Sequence, residues 1–239
     1  MDTPRAFGKL MRKEMQMHGA WLPITNTFET GDYGIFSGGV FHKLGNISSY
    51  GVEFDTGDGA PADLNVMSKG TRLSRVAGDG KVDKFPAGDI EAKLLIEFGS
   101  AESFLLKARL TSEEIADLEN TATQLREIEE WHRDYKVVST TYTAEDCLIV
   151  SSISDESKVE VSGSASALAD LEDLGKADAE LKFEAAKEIG LRLLGETGII
   201  GLRLFKLGWL GGTKIVRNDQ PKNNVVQVEN WDEDVEDDV

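Results

Sequence analysis

Apolar and polar residues alternate along much of this chain, which is the pattern of β-strands with one buried and one exposed face. The clearest alternation covers Ile90–Phe98 and Phe104–Leu110, and these two runs predict a β-hairpin. Glycine-containing turns at Ser37–Gly39 and Gly78–Gly80 separate further short apolar runs and predict two more hairpins. The pattern therefore favours a largely antiparallel sheet.

Two more alternating segments, KVEVSGSASAL and ADAELKFEAA, lie on either side of an acidic turn at Asp170–Gly175. They predict a hairpin within residues 158–186. Its Ser, Ala and Gly side chains give little buried area per residue, so this hairpin would be only loosely held and is a candidate for rearrangement. The candidate residues on its apolar face are Val159, Val161, Ala165, Ala179, Leu181 and Phe183. The glycine-punctuated apolar segment that follows, Ile189–Trp209, predicts one or two buried strands.

Helical periodicity occurs in two places. Thr3-Pro4 is a helix start signal, and a helix predicted over residues 4–18 would be amphipathic. Its candidate interaction residues are an apolar stripe and four cations: Phe7, Leu10, Met11, Met15, Arg5, Lys9, Arg12 and Lys13. A Thr111–Glu114 capping box, followed by apolar residues at steps of three and four, predicts one long central helix over residues 112–132.

Two interpretations of the N-terminal helix remain open. It is either a surface helix that packs its Met/Phe stripe on the domain or a detachable arm that docks on a membrane surface or a partner groove. The expected fold class is α+β: a mainly antiparallel sheet assembly with this amphipathic helix and the long central helix. We expect a single domain over residues 1–217 and a disordered acidic tail over residues 218–239, which ends in WDEDVEDDV.

Charge and cysteine content restrict the classes of function. The 239 residues have a formal net charge of -17, so no nucleic-acid partner is expected. The single cysteine, Cys147, excludes an internal disulfide framework and is expected to be a core residue at a strand start. No secretory signal is visible, and four charged residues interrupt the longest apolar stretch, Ile189–Trp209. We therefore expect a cytoplasmic protein.

Motifs of catalysis or metal binding are absent from the sequence. The three histidines, His18, His42 and His132, lie in distant segments, and no HExxH or CxxC spacing occurs. The glycines at 195, 198 and 201 match neither the dinucleotide fingerprint nor the P-loop. We therefore assign no catalytic residue, no metal ligand and no cofactor from the sequence.

The amphipathic hairpin predicted within residues 158–186, rich in Ser, Ala and Gly, resembles in pattern those of soluble proteins that unfold and insert into membranes as β-barrels, gasdermin-like pore formers among them. Bacterial gasdermins tend to have a cysteine near the N-terminus for lipidation, whereas the only cysteine here is Cys147. The function that the sequence favours is a non-catalytic binding or assembly protein. It would engage a protein partner, or further copies of itself, through its sheet surface or N-terminal helix. A soluble precursor of a membrane-inserting pore is the first alternative, and a carboxylate-dependent enzyme is the second.

Overall fold

The computed structural model describes residues 3–101, 103–174, 181–185, 189–208 and 213–214. Within them the helices are α1 (Thr3–Met15), α2 (Leu118–Arg126) and α3 (Ala165–Leu174). The strands are β1 (His18–Gly19), β2 (Asp32–Ser37), β3 (Val40–Asn46), β4 (Thr56–Asp58), β5 (Ala62–Met67), β6 (Arg72–Ala77), β7 (Gly80–Val82), β8 (Glu91–Phe98), β9 (Phe104–Ile115), β10 (Lys136–Ser152), β11 (Ser157–Ser164), β12 (Lys182–Ala185), β13 (Ile189–Leu207) and β14 (Thr213–Lys214). A short 3-10 helix covers Ile47–Tyr50.

Two antiparallel sheets contain most of these strands. In the larger sheet β10 is central, because one of its edges pairs with β13 and its other edge is shared between β9 and β2. Strands β4 and β5 extend this sheet from β9, and β3 extends it from β2. The second sheet has the order β12-β11-β8-β6-β7. The expected antiparallel architecture with an N-terminal helix is confirmed.

The middle of the larger sheet is buried on both faces. Successive side chains of a strand point to opposite faces, so Leu106 of β9 packs in a core with Phe7 and Met11 of α1. Its neighbour Leu105 packs in a different core, with Leu168 of α3 and the inner residues of β8 and β11. Each fully buried large apolar side chain contributes roughly 1.5–3 kcal/mol. The larger sheet is therefore held between α1 on one face and the second sheet with α3 on the other.

The prediction of a hairpin between Ile90–Phe98 and Phe104–Leu110 is half right. Both strands form, but they do not pair with each other, because β8 lies between β11 and β6 whereas β9 lies between β10 and β5. Every residue from Phe104 to Ala108 is buried, so β9 needs cover on both faces. A position between the two sheets gives β9 that cover, and the chain passes from one sheet to the other between Phe98 and Phe104.

The long central helix is not confirmed, and its predicted start is wrong. Residues 112–115 belong to β9, where Ser112 pairs with Tyr142 of β10. Helix α2 begins only at Leu118 and ends at Arg126; the carboxylate of Asp117 caps it by accepting a hydrogen bond from the Asn120 amide at 2.9 Å. Because β9 continues to pair with β10 here, the backbone N–H and C=O groups already have hydrogen-bond partners in the strand and do not need those of a capping box.

The predicted hairpin within residues 158–186 is found in part. Val159 and Val161 lie in β11, and Val161 pairs with Phe183 of β12. Ala165, however, starts α3, because Ala165, Leu168 and Leu171 are spaced by three and are all fully buried. Ala179 and the predicted tail, residues 218–239, lie outside the described residues.

None of the helices in the described part of the chain has the length and hydropathy needed to span a bilayer. The segment predicted as one or two strands before Trp209 forms a single 19-residue strand, β13. It pairs with β10 along almost its whole length. Several register shifts interrupt this pairing and accommodate the glycines of β13.

Candidate interaction surface

Four aromatic side chains from three separate segments meet at one end of the larger sheet. They form the aromatic patch, defined here as Tyr33, Tyr50, Trp131 and Tyr135. Tyr33 lies on β2 and Tyr50 ends the 3-10 helix, while Trp131 and Tyr135 lie in the loop between α2 and β10. All four side chains are only partly buried.

The rings of the aromatic patch contact one another closely. Tyr33 is central, with ring centroids 5.5 Å from Tyr50, 5.4 Å from Trp131 and 5.1 Å from Tyr135. Trp131 meets Tyr50 and Tyr135 edge to face, at 5.7 and 5.4 Å. Tilted and edge-to-face contacts at these separations are favourable arrangements for aromatic pairs. The four rings are therefore packed against one another, and no open cage lies between them.

Local backbone features hold three of the rings in place. Asn46 caps the 3-10 helix, its side chain accepting a hydrogen bond from the Ser48 amide at 3.1 Å, and this positions Tyr50. Gly45 lies under the ring of Tyr33, where a Cβ atom would approach within 2.8 Å of the tyrosine Cε1. The amide of Trp131 donates to the carbonyl of Ile128, which extends the end of α2 into a turn. Glycine at position 45 is thus a steric requirement of the patch.

The electrostatic surroundings of the patch are acidic. A hydrogen bond between the hydroxyls of Tyr33 and Tyr50, together with burial, raises the pKa of Tyr33 to about 12, so the phenol stays neutral. The loop that contains Trp131 has four exposed carboxylates. We call these four residues the acidic rim: Glu127, Glu129, Glu130 and Asp134. One guanidinium group, that of Arg133, lies among them and is 3.9 Å from Asp134.

Two exposed aliphatic residues lie close in sequence to the patch, on the β2–β3 hairpin. Ile35 follows Tyr33 by two positions and so shares its face of β2, and it is 37% exposed. Leu44 precedes Gly45, the partner of Tyr33 across the hairpin, and is 52% exposed. Aromatic rings with neighbouring exposed aliphatic groups are typical of protein-binding surfaces.

The residues predicted on the N-terminal helix lie elsewhere. Phe7 and Met11 are fully buried against the larger sheet, and Leu10 and Met15 are partly buried beside them. The cations Arg5, Lys9 and Lys13 are exposed, and Arg12 is partly buried. In this conformation α1 therefore presents its basic face to solvent and its apolar stripe to the core; binding of a partner by the stripe stays a prediction.

Ionisable groups converge in one cleft of about 580 Å³ beside the last turn of α3. Its ionisable lining residues are Asp63, Lys107, Arg109, Glu145, Asp146, Glu172 and Asp173. Burial lowers the pKa of Lys107, which is opposed by the nearby charge of Glu172. An amine of lowered pKa beside carboxylates is a kind of group that proton-transfer chemistry uses.

Histidine and cysteine residues do not converge in the described part of the chain, where no group of three or more potential metal-binding side chains occurs. His18 lies against Phe36, with ring centroids 5.1 Å apart, whereas His42 and His132 are exposed. Cys147 is fully buried within β10, as the prediction of a core residue requires, although it lies in the middle of the strand.

The chain matches no protein-family model and shows no significant similarity to a curated protein sequence. The aromatic patch was missed by sequence analysis, because its members are separated by as many as 102 positions and lie on segments of three different kinds. The one local signal was the aromatic spacing of Trp131 and Tyr135 after an amphipathic helix.

Proposed function

We propose that this protein is a non-catalytic binding protein that engages a protein partner through the aromatic patch and the adjoining face of the β2–β3 hairpin. The observation that supports this most directly is the mutual contact of four partly exposed aromatic rings. Tyrosine and tryptophan are enriched among residues that dominate binding energy, because they bury a large area at a low cost in side-chain entropy. Because the rings already pack against one another in the free protein, less side-chain freedom is left to lose on binding.

The sequence offered two binding surfaces, the sheet and the N-terminal helix, and the packing favours the sheet. Phe7 and Met11 already fill the core beneath α1. Releasing them to bind a partner would expose two fully buried side chains, at a cost of roughly 1.5–3 kcal/mol each. Ile35 and Leu44 are exposed as they stand and require no such rearrangement.

Site-specific photo-crosslinking tests this proposal in the full chain. A benzophenone amino acid at position 44 should capture one defined protein, and Tyr50→Ala in the same chain should abolish that product. A benzophenone at Met67, which is 47% exposed on β5, serves as the matched control. The proposal fails if positions 44 and 67 yield the same products or if Tyr50→Ala leaves the product unchanged in a protein that remains folded.

Membrane insertion is a second candidate function, and a feature of α3 favours it. The alternating pattern from Val159 to Ala167 continues across the boundary between β11, which ends at Ser164, and α3. If α3 unwound, this sequence pattern would permit a strand longer than the eight residues of β11, close to the nine to eleven that a membrane-crossing strand requires. The rearranging residues would be those predicted from the sequence: Val159, Val161, Ala165, Ala179, Leu181 and Phe183.

Dye release from anionic liposomes distinguishes this second candidate. Leakage caused by the full chain and abolished by Leu181→Lys, a change at a partly buried position, would favour membrane insertion over partner binding. Lys182→Glu, at an exposed neighbouring position, controls for altered charge in the same segment. Intact liposomes at high protein concentration would reject insertion.

A further inference from the structure

We propose that the partner of the aromatic patch is a second copy of this chain, whose basic α1 face binds on the patch and its acidic rim. This inference rests on the proposed function, since it names the occupant of the same surface. The contact joins two different surfaces, so each copy would use its α1 on one neighbour and its patch on another.

The basic face of α1 has a fixed orientation. Phe7 and Met11 hold the helix against the larger sheet, with 0% and 1% of their surfaces exposed. Lys9 and Lys13 are exposed, and Arg5 and Arg12 add positive charge within the same nine residues. The only carboxylate in α1 is that of Glu14, which contacts Lys13 at 2.8 Å. A net positive face on a chain with a net charge of -17 is a local exception that can direct association.

The aromatic patch and acidic rim are chemically complementary to that face. The rim has four exposed carboxylates and a single guanidinium group between residues 127 and 134. Ammonium and guanidinium groups are attracted both to these carboxylates and to the π-faces of tyrosine and tryptophan rings. The lysine side chains of α1 can place their methylene stems on Tyr50 and Trp131 while the charged ends reach the rim.

When two copies of the chain join through two different surfaces, the resulting pair still has one unoccupied α1 face and one unoccupied aromatic patch. Association of this kind continues into a ring or an open chain, whereas a contact of one surface with itself stops at the dimer. The high negative net charge opposes unspecific contact between copies, so charge at the two surfaces should decide whether copies associate.

Charge reversal with sedimentation velocity of the full chain tests the proposal. The α1 variant is Lys9→Glu with Lys13→Glu, and the rim variant is Glu129→Lys with Glu130→Lys. The wild-type chain should form a concentration-dependent series of oligomers, and each variant alone should associate at least about tenfold more weakly, since like charges then face each other. An equimolar mixture of the two variants should associate again, because the intact α1 of the rim variant meets the intact rim of the α1 variant and the two reversed surfaces also carry opposite charges.

Two controls separate specific contact from net charge. The chain with all four substitutions has the wild-type net charge and should regain self-association. Lys81→Glu in β7 with Lys84→Glu just after that strand, both at exposed positions, changes the net charge as much as the α1 variant does and should leave self-association unchanged.

The proposal is overturned if the wild-type chain stays monomeric at all concentrations, if the four substitutions together fail to restore association, or if the mixture of the two variants does not associate. A monomeric chain whose position 44 still cross-links to a different protein would reject self-assembly and leave the proposed function intact. A monomeric chain without such a product would reject both.

Discussion

The ammonium group of Lys107 in β9 donates a hydrogen bond to the backbone carbonyl oxygen of Glu172 in α3, with an Nζ–O distance of 2.7 Å. A cation at the C-terminal turn of a helix is favourable, because the last carbonyl groups carry partial negative charge. The carboxylate of Glu172 in turn accepts hydrogen bonds from two nitrogens of Arg75 in β6. The last turn of α3 is therefore bound to both sheets.

Breaking this connection should lower the stability of the protein. Glu172→Gln removes the charge that pairs with Arg75 in a site where the two side chains are only 11% and 27% exposed, and we expect a loss of about 1–3 kcal/mol. Urea unfolding measures the free energy of unfolding. Glu97→Gln, in the more exposed pair with Lys158, is the matched control and should cost less than about 0.5 kcal/mol. Equal losses in both variants would contradict a structural role for the Glu172 pair.

Strand content could be predicted from the sequence, whereas strand pairing could not. Alternation located β8 and β9 correctly, because it reports which side chains are buried. It does not report which strand is adjacent, and the turn between β8 and β9 crosses between sheets. At Thr111–Glu114 the sequence has a helix-capping signal, but these residues form a strand because they pair with β10. At Ala165 the apolar and polar residues alternate, but the buried side chains are spaced by three and the segment forms α3.

The aromatic patch could not be predicted from local sequence patterns, and the reason is a different one. Tyr33, Tyr50 and Trp131 meet only because the β2–β3 hairpin and the end of α2 are brought to the same end of β10. The apolar stripe of α1 was correctly identified as apolar, but periodicity alone cannot tell a stripe that faces the core from one that faces a partner. The tertiary structure shows Phe7 and Met11 in the core.

His18 should make stability depend on acid pH. Burial, with smaller effects of Arg12 and Lys136, lowers the pKa of His18 from 6.5 to about 3. In the unfolded chain His18 thus binds a proton below about pH 6.5, whereas in the folded chain His18 binds a proton only below about pH 3. The contribution of neutral His18 to the free energy of unfolding is therefore complete above pH 6.5. This contribution falls by on the order of 4 kcal/mol as the pH is lowered towards 3.

Urea unfolding at a series of pH values checks this dependence on His18. His18→Gln should flatten the change in unfolding free energy between pH 6.5 and 3, whatever its effect at neutral pH. His42→Gln, at an exposed histidine, should retain the wild-type slope. Parallel curves for the wild type and His18→Gln would show that other groups cause the acid sensitivity.

Cys147 should react with thiol reagents only when the protein opens. The side chain is fully buried, and burial raises the pKa of its thiol to about 12, so little thiolate exists at pH 8. We expect alkylation, followed by mass spectrometry, to be at least about a thousandfold slower than at an exposed cysteine, because global opening costs several kcal/mol. Met67→Cys supplies that reference within the same chain. Comparable rates at both positions would mean that β10 opens locally.

The packing of α1 can be tested at Gly19, which the helix contacts through Phe7. A Cβ atom at position 19 would lie 2.8 Å from Cδ1 and 3.0 Å from Cε1 of Phe7, and 3.2 Å from the backbone of Gly8. Gly19→Ala should therefore push α1 from the sheet and cost about 1–3 kcal/mol. Gly57→Ala, where a Cβ atom meets nothing within 4 Å, should change stability by less than about 0.5 kcal/mol. If urea unfolding shows no loss for Gly19→Ala while proteolysis readily removes α1 from the wild type, the helix is a detachable arm rather than a packed element.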